Sequence, residues 1–270
     1  MSKLKILAIG NSFRVDAMEH LYKVAKAYGY AENDIVLGNL YIGGCSLEMH
    51  YNNICENLPA YEYFKNTDNR WINHTNTSVL TALKDEEWDY ITMQQVSQCS
   101  GLTETFEPYL SKLIEYVNNN KLNPSAKLLW HSTWSYAKDS THGGFASYNN
   151  NQEQMSAKIL AAAKHIAQNY PQFSFILPSF ISINNAREVL GDNLIRDGFH
   201  LDLNHGRLTA ALTWFTKITG TSLDNIIDKT ELLEICKNGV VDLTEKGIDV
   251  TPEKLLEILV KSAKDSVSQT

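Results

Sequence analysis

The chain has 270 residues, of which 43% are hydrophobic and 20% charged, and a formal net charge of −7. This suits one large globular α/β domain or two small ones; the acidic balance, with no basic stripe, argues against a nucleic-acid surface, and no run nears the roughly 20 apolar residues of a membrane span. Four cysteines without paired or metal-type spacing read as free thiols in a reducing compartment, and the absence of a leader-like apolar segment makes a cytoplasmic protein the expectation.

The run Lys5–Ile9 predicts a buried first strand, cut off by Gly10-Asn11-Ser12-Phe13. Val15–Tyr28 follows as a helix, with Met18, Leu21, Tyr22, Val24 and Ala25 at helical spacing. Asp34–Tyr41 is the second strand, closed by Gly43-Gly44. The polar, aromatic stretch Glu48–Thr77 has weak periodicity and reads as an insertion or a long irregular connection. Val79–Lys84 is a short helix, Asp89–Met93 the third strand, Tyr109–Asn118 a helix and Lys127–His131 the fourth strand. Gln152–Gln168 is strongly helical, Phe173–Leu177 is the fifth strand, and helices follow at Ile183–Leu190 and His205–Thr219, the latter stopped by Gly220.

Strands alternating with helices predict a three-layer α/β/α, flavodoxin-like, doubly wound parallel sheet of about five strands over residues 1–220. Functional groups are expected at the carboxyl ends of its strands. Residues 221–270 read as a helical C-terminal extension packed on the same domain, with Thr251-Pro252-Glu253 opening a helix.

Ser12 stands at the end of the first strand, where a serine acts as a nucleophile if a base reaches it. Asp197 and His200, three apart in a loop before the last core helix, have the spacing for a carboxylate to hold an imidazole. Acyl transfer also needs donors for a developing oxyanion. The backbone N–H of Ser12 and the Gly43-Gly44 turn are candidates, and an amide from Gln94, Gln95 or Gln98 is a third.

These blocks, in this order, resemble the SGNH (GDSL-like) hydrolases. Gly10-Asn11-Ser12-Phe13 is similar to their first block, with Asn11 in place of the usual aspartate, Gly44 to the second, and Asp197-Gly198-Phe199-His200 to the last. The pattern is closest to a bacterial branch of unassigned function with G-N-S-F, Q-Q-x-S-x-x-S-G, T-W-x-Y-A and D-G-F-H-L segments. The resemblance implies a serine esterase needing no cofactor, with Ser12 as nucleophile, His200 as base and Asp197 as its orienter. It also implies Ser12 and Gly44 as oxyanion amides and small acyl esters, acetyl above all and possibly on carbohydrates, as substrates. The family's G-x-N-D block is missing. Alternation along the third strand lets Gln95 or Gln94 face the site, with Gln95 favoured, while counting from Asp89 selects Gln98.

Other readings stand beside these. His131 either lines a substrate pocket or ends its strand, and Trp134 and Tyr136 form either a wall for a sugar ring or core packing. Asp197, His200, Asp202 and His205 crowd nine residues and have metal-type side chains, but no second cluster supports a metal site. Asp16 and His20 read as a helix-start charge and a surface pair. The non-hydrolase alternatives are a sugar- or anion-binding protein on the same fold, or an acyltransferase.

Overall fold

β1 (Leu4–Gly10) is buried along nearly its whole length and has a strand on either side. A strand so placed carries a continuous apolar run rather than an alternating one. It pairs in parallel with β2 (Ile35–Tyr41), Leu4 opposite Ile35 through Gly10 opposite Tyr41, and with β5 (Tyr90–Met93). The computed structural model describes residues 3–239 and 250–269. Its sheet has seven strands in the order β4-β3-β2-β1-β5-β6-β7. β3 is Tyr61–Asn66, β4 Trp71–Thr77, β6 Lys127–His131 and β7 Phe173–Leu177. β5 and β6 are parallel, and β2-β3 and β3-β4 are antiparallel.

The helices are α1 (Ser12–Met18), α2 (Leu21–Ala27), α3 (Leu47–Cys55), α4 (Val79–Asp85), α5 (Tyr109–Asn120), α6 (Gln152–Asn169), α7 (Ser179–Leu190), α8 (His205–Thr219), α9 (Thr230–Asn238) and α10 (Pro252–Ser268). Ser46, Ser78 and Thr251 cap α3, α4 and α10, each accepting from the backbone N–H three residues on. This is a mixed α/β fold around a central sheet flanked by helices, as expected.

Two strands exceed the expected count. The stretch Glu48–Thr77, read as irregular, holds α3 and the β3–β4 hairpin. The expected helix Val15–Tyr28 is two helices, interrupted at Glu19-His20. In the 221–270 extension, α9 and α10 are helices as expected, and residues 240–249 lie outside the described residues.

The chain divides into two units. One comprises Met1–Val15, Ala31–Thr133 and Ala157–Ile176, and holds the sheet up to Ile176. Its core joins Leu7, Ile9, Ile91 and Trp130 of the strands to Leu83 of α4 and Leu110, Leu113 and Val117 of α5. Burying each such side chain stabilises the fold by about 1.5–3 kcal/mol. The other unit comprises Asp16–Tyr30, Trp134–Ser156 and Leu177–Thr270. There α8 is buried on nearly every face against α7 and α10, and Phe215 stacks on Tyr28 with ring centroids 4.9 Å apart.

Candidate active site

Ser12 opens α1 directly after the carboxyl end of β1 and is half-buried. Asn11, 1% exposed, shapes the turn. Its Oδ1 accepts from the Phe13 backbone N–H at 3.1 Å and from Gln94 Nε2 at 2.8 Å, and its Nδ2 donates to the Cys45 carbonyl at 3.1 Å. An aspartate cannot make the last bond, because an ionised carboxylate only accepts. Asn11 therefore ties the Ser12 turn to the loop after β2. In that loop Gly44 has φ +64° with nothing within 4 Å of where a Cβ would stand.

The three glutamines part ways after β5. Gln94 is fully buried, and its Oε1 accepts from Arg14 Nε and Nη2, both at 3.2 Å, and from His131 Nδ1 at 2.8 Å. Arg14 also donates to the Thr92 carbonyl at 2.9 Å. Burial lowers the Arg14 pKa, and burial with the neighbouring Arg14 charge lowers that of His131. His131 is 1% exposed, with Gln94 among its partners. Gln95, the favoured oxyanion donor, turns elsewhere: its Nε2 donates to the Thr105 carbonyl at 3.2 Å and to Thr105 Oγ1 at 3.1 Å, which engages both amide hydrogens. Its Oε1 accepts from Leu47 N–H at 3.0 Å. Gln98 lies half-buried in a 3-10 turn, Ser97–Cys99.

In the other unit Asp197 and His200 share a tight turn, with Ile195 bridged to Leu201 and Arg196 N–H donating to the His200 carbonyl at 3.0 Å. Asp197 Oδ1 accepts from His200 N–H at 2.8 Å, and Oδ2 lies 2.7 Å from His200 Nδ1. Because the carboxylate only accepts, Nδ1 carries the hydrogen, and in the neutral ring the lone pair is on Nε2. Burial alone raises the Asp197 pKa, but the bonds from the His200 ring and backbone outweigh it and hold the carboxyl below its ordinary range. Gly198, at φ +88°, allows the reversal: a Cβ there would stand 3.1 Å from Ser140 Oγ.

Residues 5–239 match the profile of a family described as a domain of unknown function, DUF4886. The chain belongs to the DUF4886 family. It is similar to a crystal structure of a DUF4886 family protein from Bacteroides uniformis, with 36% identity and TM-score 0.84 over 99% of this chain and 95% of that one. It also shares its fold, at TM-score 0.50 and 13% identity over 82% of this chain and 97% of the other, with a proposed GDSL-like lipase from Parabacteroides merdae. No curated protein compared with the chain matches it.

In this DUF4886 chain the T-W-x-Y-A segment forms the bed of the Asp197 turn. Trp134 Nε1 donates to the Phe199 carbonyl at 2.9 Å, and Ala137 N–H to the Gly198 carbonyl at 2.9 Å. Trp134 and Tyr136 are both fully buried, and the Tyr136 ring packs against Phe145, His142 and Phe199. Arg187, pinned by Asp192 at 2.9 Å, donates to the Ser135 carbonyl at 2.6 Å and holds the segment from beneath.

Sequence reasoning missed His142. Its ring centroid lies 4.7 Å from that of Phe199, which in turn lies 4.2 Å from that of His200. Its Nδ1 accepts from Gly144 N–H at 3.0 Å, so the neutral ring carries its hydrogen on Nε2. Burial first, then the nearby His200, lower its pKa, against a smaller opposing pull from Asp197. The signal in the sequence was a histidine just before Gly143-Gly144, where it caps a 3-10 helix.

The suspected metal-type cluster separates. Asp202 caps the start of α8, accepting from Asn204 and His205 N–H groups at 2.9 and 3.0 Å. His205 is 1% exposed, with Nε2 3.1 Å from the Cys236 carbonyl. Among the described residues no group of three or more His, Cys, Asp or Glu side chains is arranged to hold a metal ion. Among the same residues, no helix is long and apolar enough to cross a membrane.

Proposed function

We propose that the chain is a serine esterase that hydrolyses small acyl esters, acetyl esters above all, with acetylated carbohydrates as the substrate class. The observation that carries this reading is the 2.7 Å Asp197–His200 Nδ1 contact, which makes Nε2 the basic nitrogen. Ser12 at the end of β1 and the fold shared with a proposed GDSL-like lipase support it.

In this reading Ser12 Oγ attacks the ester carbonyl carbon while its proton passes to His200 Nε2. Asp197 stays ionised and stabilises the imidazolium. The Ser12 and Gly44 N–H groups hold the oxyanion, with Gln94 setting Asn11 behind them. The C–O bond to the alcohol then breaks, and the alcohol leaves with the proton from Nε2. Water, deprotonated by His200, attacks the acyl-serine. The acid departs, and Ser12 recovers its proton. A neutral His142 nearby adds no positive charge to oppose the imidazolium.

A binding protein on the same fold is the second reading, favoured by the bonding of the Gln95 amide to Thr105. One experiment separates them. With p-nitrophenyl acetate the wild-type chain turns over substrate, and Ser12→Ala or His200→Ala lowers kcat by roughly 10³-fold or more. A fluorophosphonate probe labels Ser12 in the wild type. Equal rates in wild type and Ser12→Ala, with no labelling of Ser12, overturn the esterase reading.

A further inference from the structure

Asp16 has no solvent exposure, yet it is an ionisable carboxylate that the reaction above does not use. It lies on α1 and was expected to be a helix-start charge or a partner of His20. Instead His20 Nε2 meets the Leu203 carbonyl at 2.9 Å, and Asp16 gathers three other donors. Oδ1 accepts from Arg196 Nη1 at 3.0 Å and from Arg207 Nε at 2.9 Å, while Oδ2 accepts from Leu201 N–H at 2.9 Å. Arg207 Nη2 adds a second contact at 2.8 Å. Arg196 Nη1 also donates to the Leu201 carbonyl.

Arg196 immediately precedes Asp197, and Leu201 immediately follows His200. Both stems of the turn are thus tied to one buried anion. The Asp197–His200 pair cannot fix the turn by itself, because Asp197 is 43% exposed and exposed ion pairs hold little conformational order. The bonds to Asp16 are charge-assisted, more numerous, and end on a carboxylate with no solvent exposure, which makes them the stronger set.

We propose that Asp16 is a positioning residue for the catalytic base: it holds the Arg196–Leu201 turn in the one geometry that keeps His200 Nδ1 on Asp197 and aims Nε2 at its work. This rests on His200 being the base of the proposed esterase. Asp16→Asn can satisfy only part of the set. Its amide nitrogen is a donor, so it faces either the Leu201 N–H or a guanidinium with the wrong polarity. Arg196→Met removes one stem tie, together with the 3.8 Å contact of Arg196 Nε to Asp197 Oδ2, and leaves Asp16 with Arg207 and Leu201.

Two readouts test the role. The first is kcat against KM with p-nitrophenyl acetate. Arg196→Met lowers kcat about tenfold, with KM within about twofold, because a small misplacement of a catalytic group reduces turnover while binding survives. Lys65→Met serves as a control for thermal loss, since Lys65 pairs with Asp85 and Glu86 at 2.8 Å; its kcat stays within about twofold of wild type. The second readout needs no activity: the low-field proton resonance of His200 Nδ1–H is present in wild type and in Lys65→Met, and broadened or lost in Arg196→Met and Asp16→Asn. If Asp16→Asn does not fold, Arg207→Met decides, because Arg207 pairs with Asp16 and Glu19 and its removal loosens Asp16 while leaving the Arg196–Asp197 contact in place; the resonance is expected to broaden there too. An unchanged resonance in the folded variants, its absence in wild type, or a kcat loss that follows thermal stability equally in Arg196→Met and Lys65→Met overturns the proposal. Activity retained in Ser12→Ala instead overturns the esterase reading, and the resonance still judges Asp16.

Discussion

Gln94 Nε2 donates to Asn11 Oδ1 at 2.8 Å, and the same oxygen accepts from Phe13 N–H at 3.1 Å. One side-chain amide thus joins the end of β5 to the Ser12 turn. Asn11→Ala strands three buried groups, namely the Gln94 amide, the Phe13 N–H and the Cys45 carbonyl, and is expected to destabilise the chain by roughly 3 kcal/mol. Asn11→Asp keeps both acceptor roles but sets a buried carboxylate oxygen against the Cys45 carbonyl, with an expected cost of about 2 kcal/mol. Urea unfolding of the three proteins gives the order.

Asp197→Asn keeps the size and the turn but reverses the bond to the ring. The amide donates to Nδ1, so the imidazole carries its hydrogen on Nε2 and no longer accepts from a serine. A loss of roughly 10²- to 10⁴-fold in kcat is expected, with little change in melting temperature. Steady-state kinetics and a thermal melt on the same preparation check both halves.

Gly44→Ala and Gly198→Ala separate strain from crowding. Both glycines have positive φ, but a methyl at Gly44 meets nothing, whereas at Gly198 it meets Ser140 at 3.1 Å. Gly44→Ala is expected to lose about 1 kcal/mol and Gly198→Ala about 2 kcal/mol or more. If the chain is the proposed esterase, Gly44→Ala is also expected to lower kcat, because strain in the turn displaces the amide proposed to hold the oxyanion. Chemical denaturation paired with kinetics reads both effects.

Acid weakens the fold through buried histidines, His20 and His50 among them. Burial, with Lys23 and Arg207 adding and the Leu203 carbonyl opposing, takes His20 down to about 4. Burial and the Arg14 charge take His50 down to about 3. Both folded values lie below the unfolded value of about 6.5, so protons bind the unfolded chain first. The stabilisation is complete above about pH 6.5 and is lost as pH falls toward the folded values, at about 1.4 kcal/mol per pH unit for each group. Unfolding free energies at pH 7, 5.5 and 4.5 should fall in that order, and His20→Gln should flatten the slope.

Arg187→Met removes a buried guanidinium that holds Asp192 and the Ser135 carbonyl. A loss of roughly 3 kcal/mol is expected, since the partners lose a charge-assisted donor in a poorly hydrated place. Differential scanning calorimetry measures it.

The five strands at Lys5, Asp34, Asp89, Lys127 and Phe173 were legible because each is a dense apolar run. The hairpin of β3 and β4 was not. β4 is exposed at all but its ends, so no hydrophobic pattern marks it, and β3 buries tyrosines whose polar ends blur the alternation. The place of Ser12 at the end of β1 and the pairing of Asp197 with His200 were readable from local blocks. The directions of the glutamines were not readable because pleat alternation stops with the strand at Met93. Beyond it Gln94 turns to Asn11 while Gln95 turns to Thr105. Asp16 was opaque because its partners lie 180 or more positions away, and no local pattern encodes such a distance.

β4 ends the sheet among the described residues, with β3 as its one strand neighbour, and from Trp71 to Thr77 it has no lysine, no proline and no formal charge. Natural edge strands commonly use such residues to discourage pairing with a second molecule. Concentrated stocks of this protein therefore carry a handling hazard at one defined strip of backbone. Ile72, 52% exposed, is where a single lysine would improve shelf life with little disturbance to the interior.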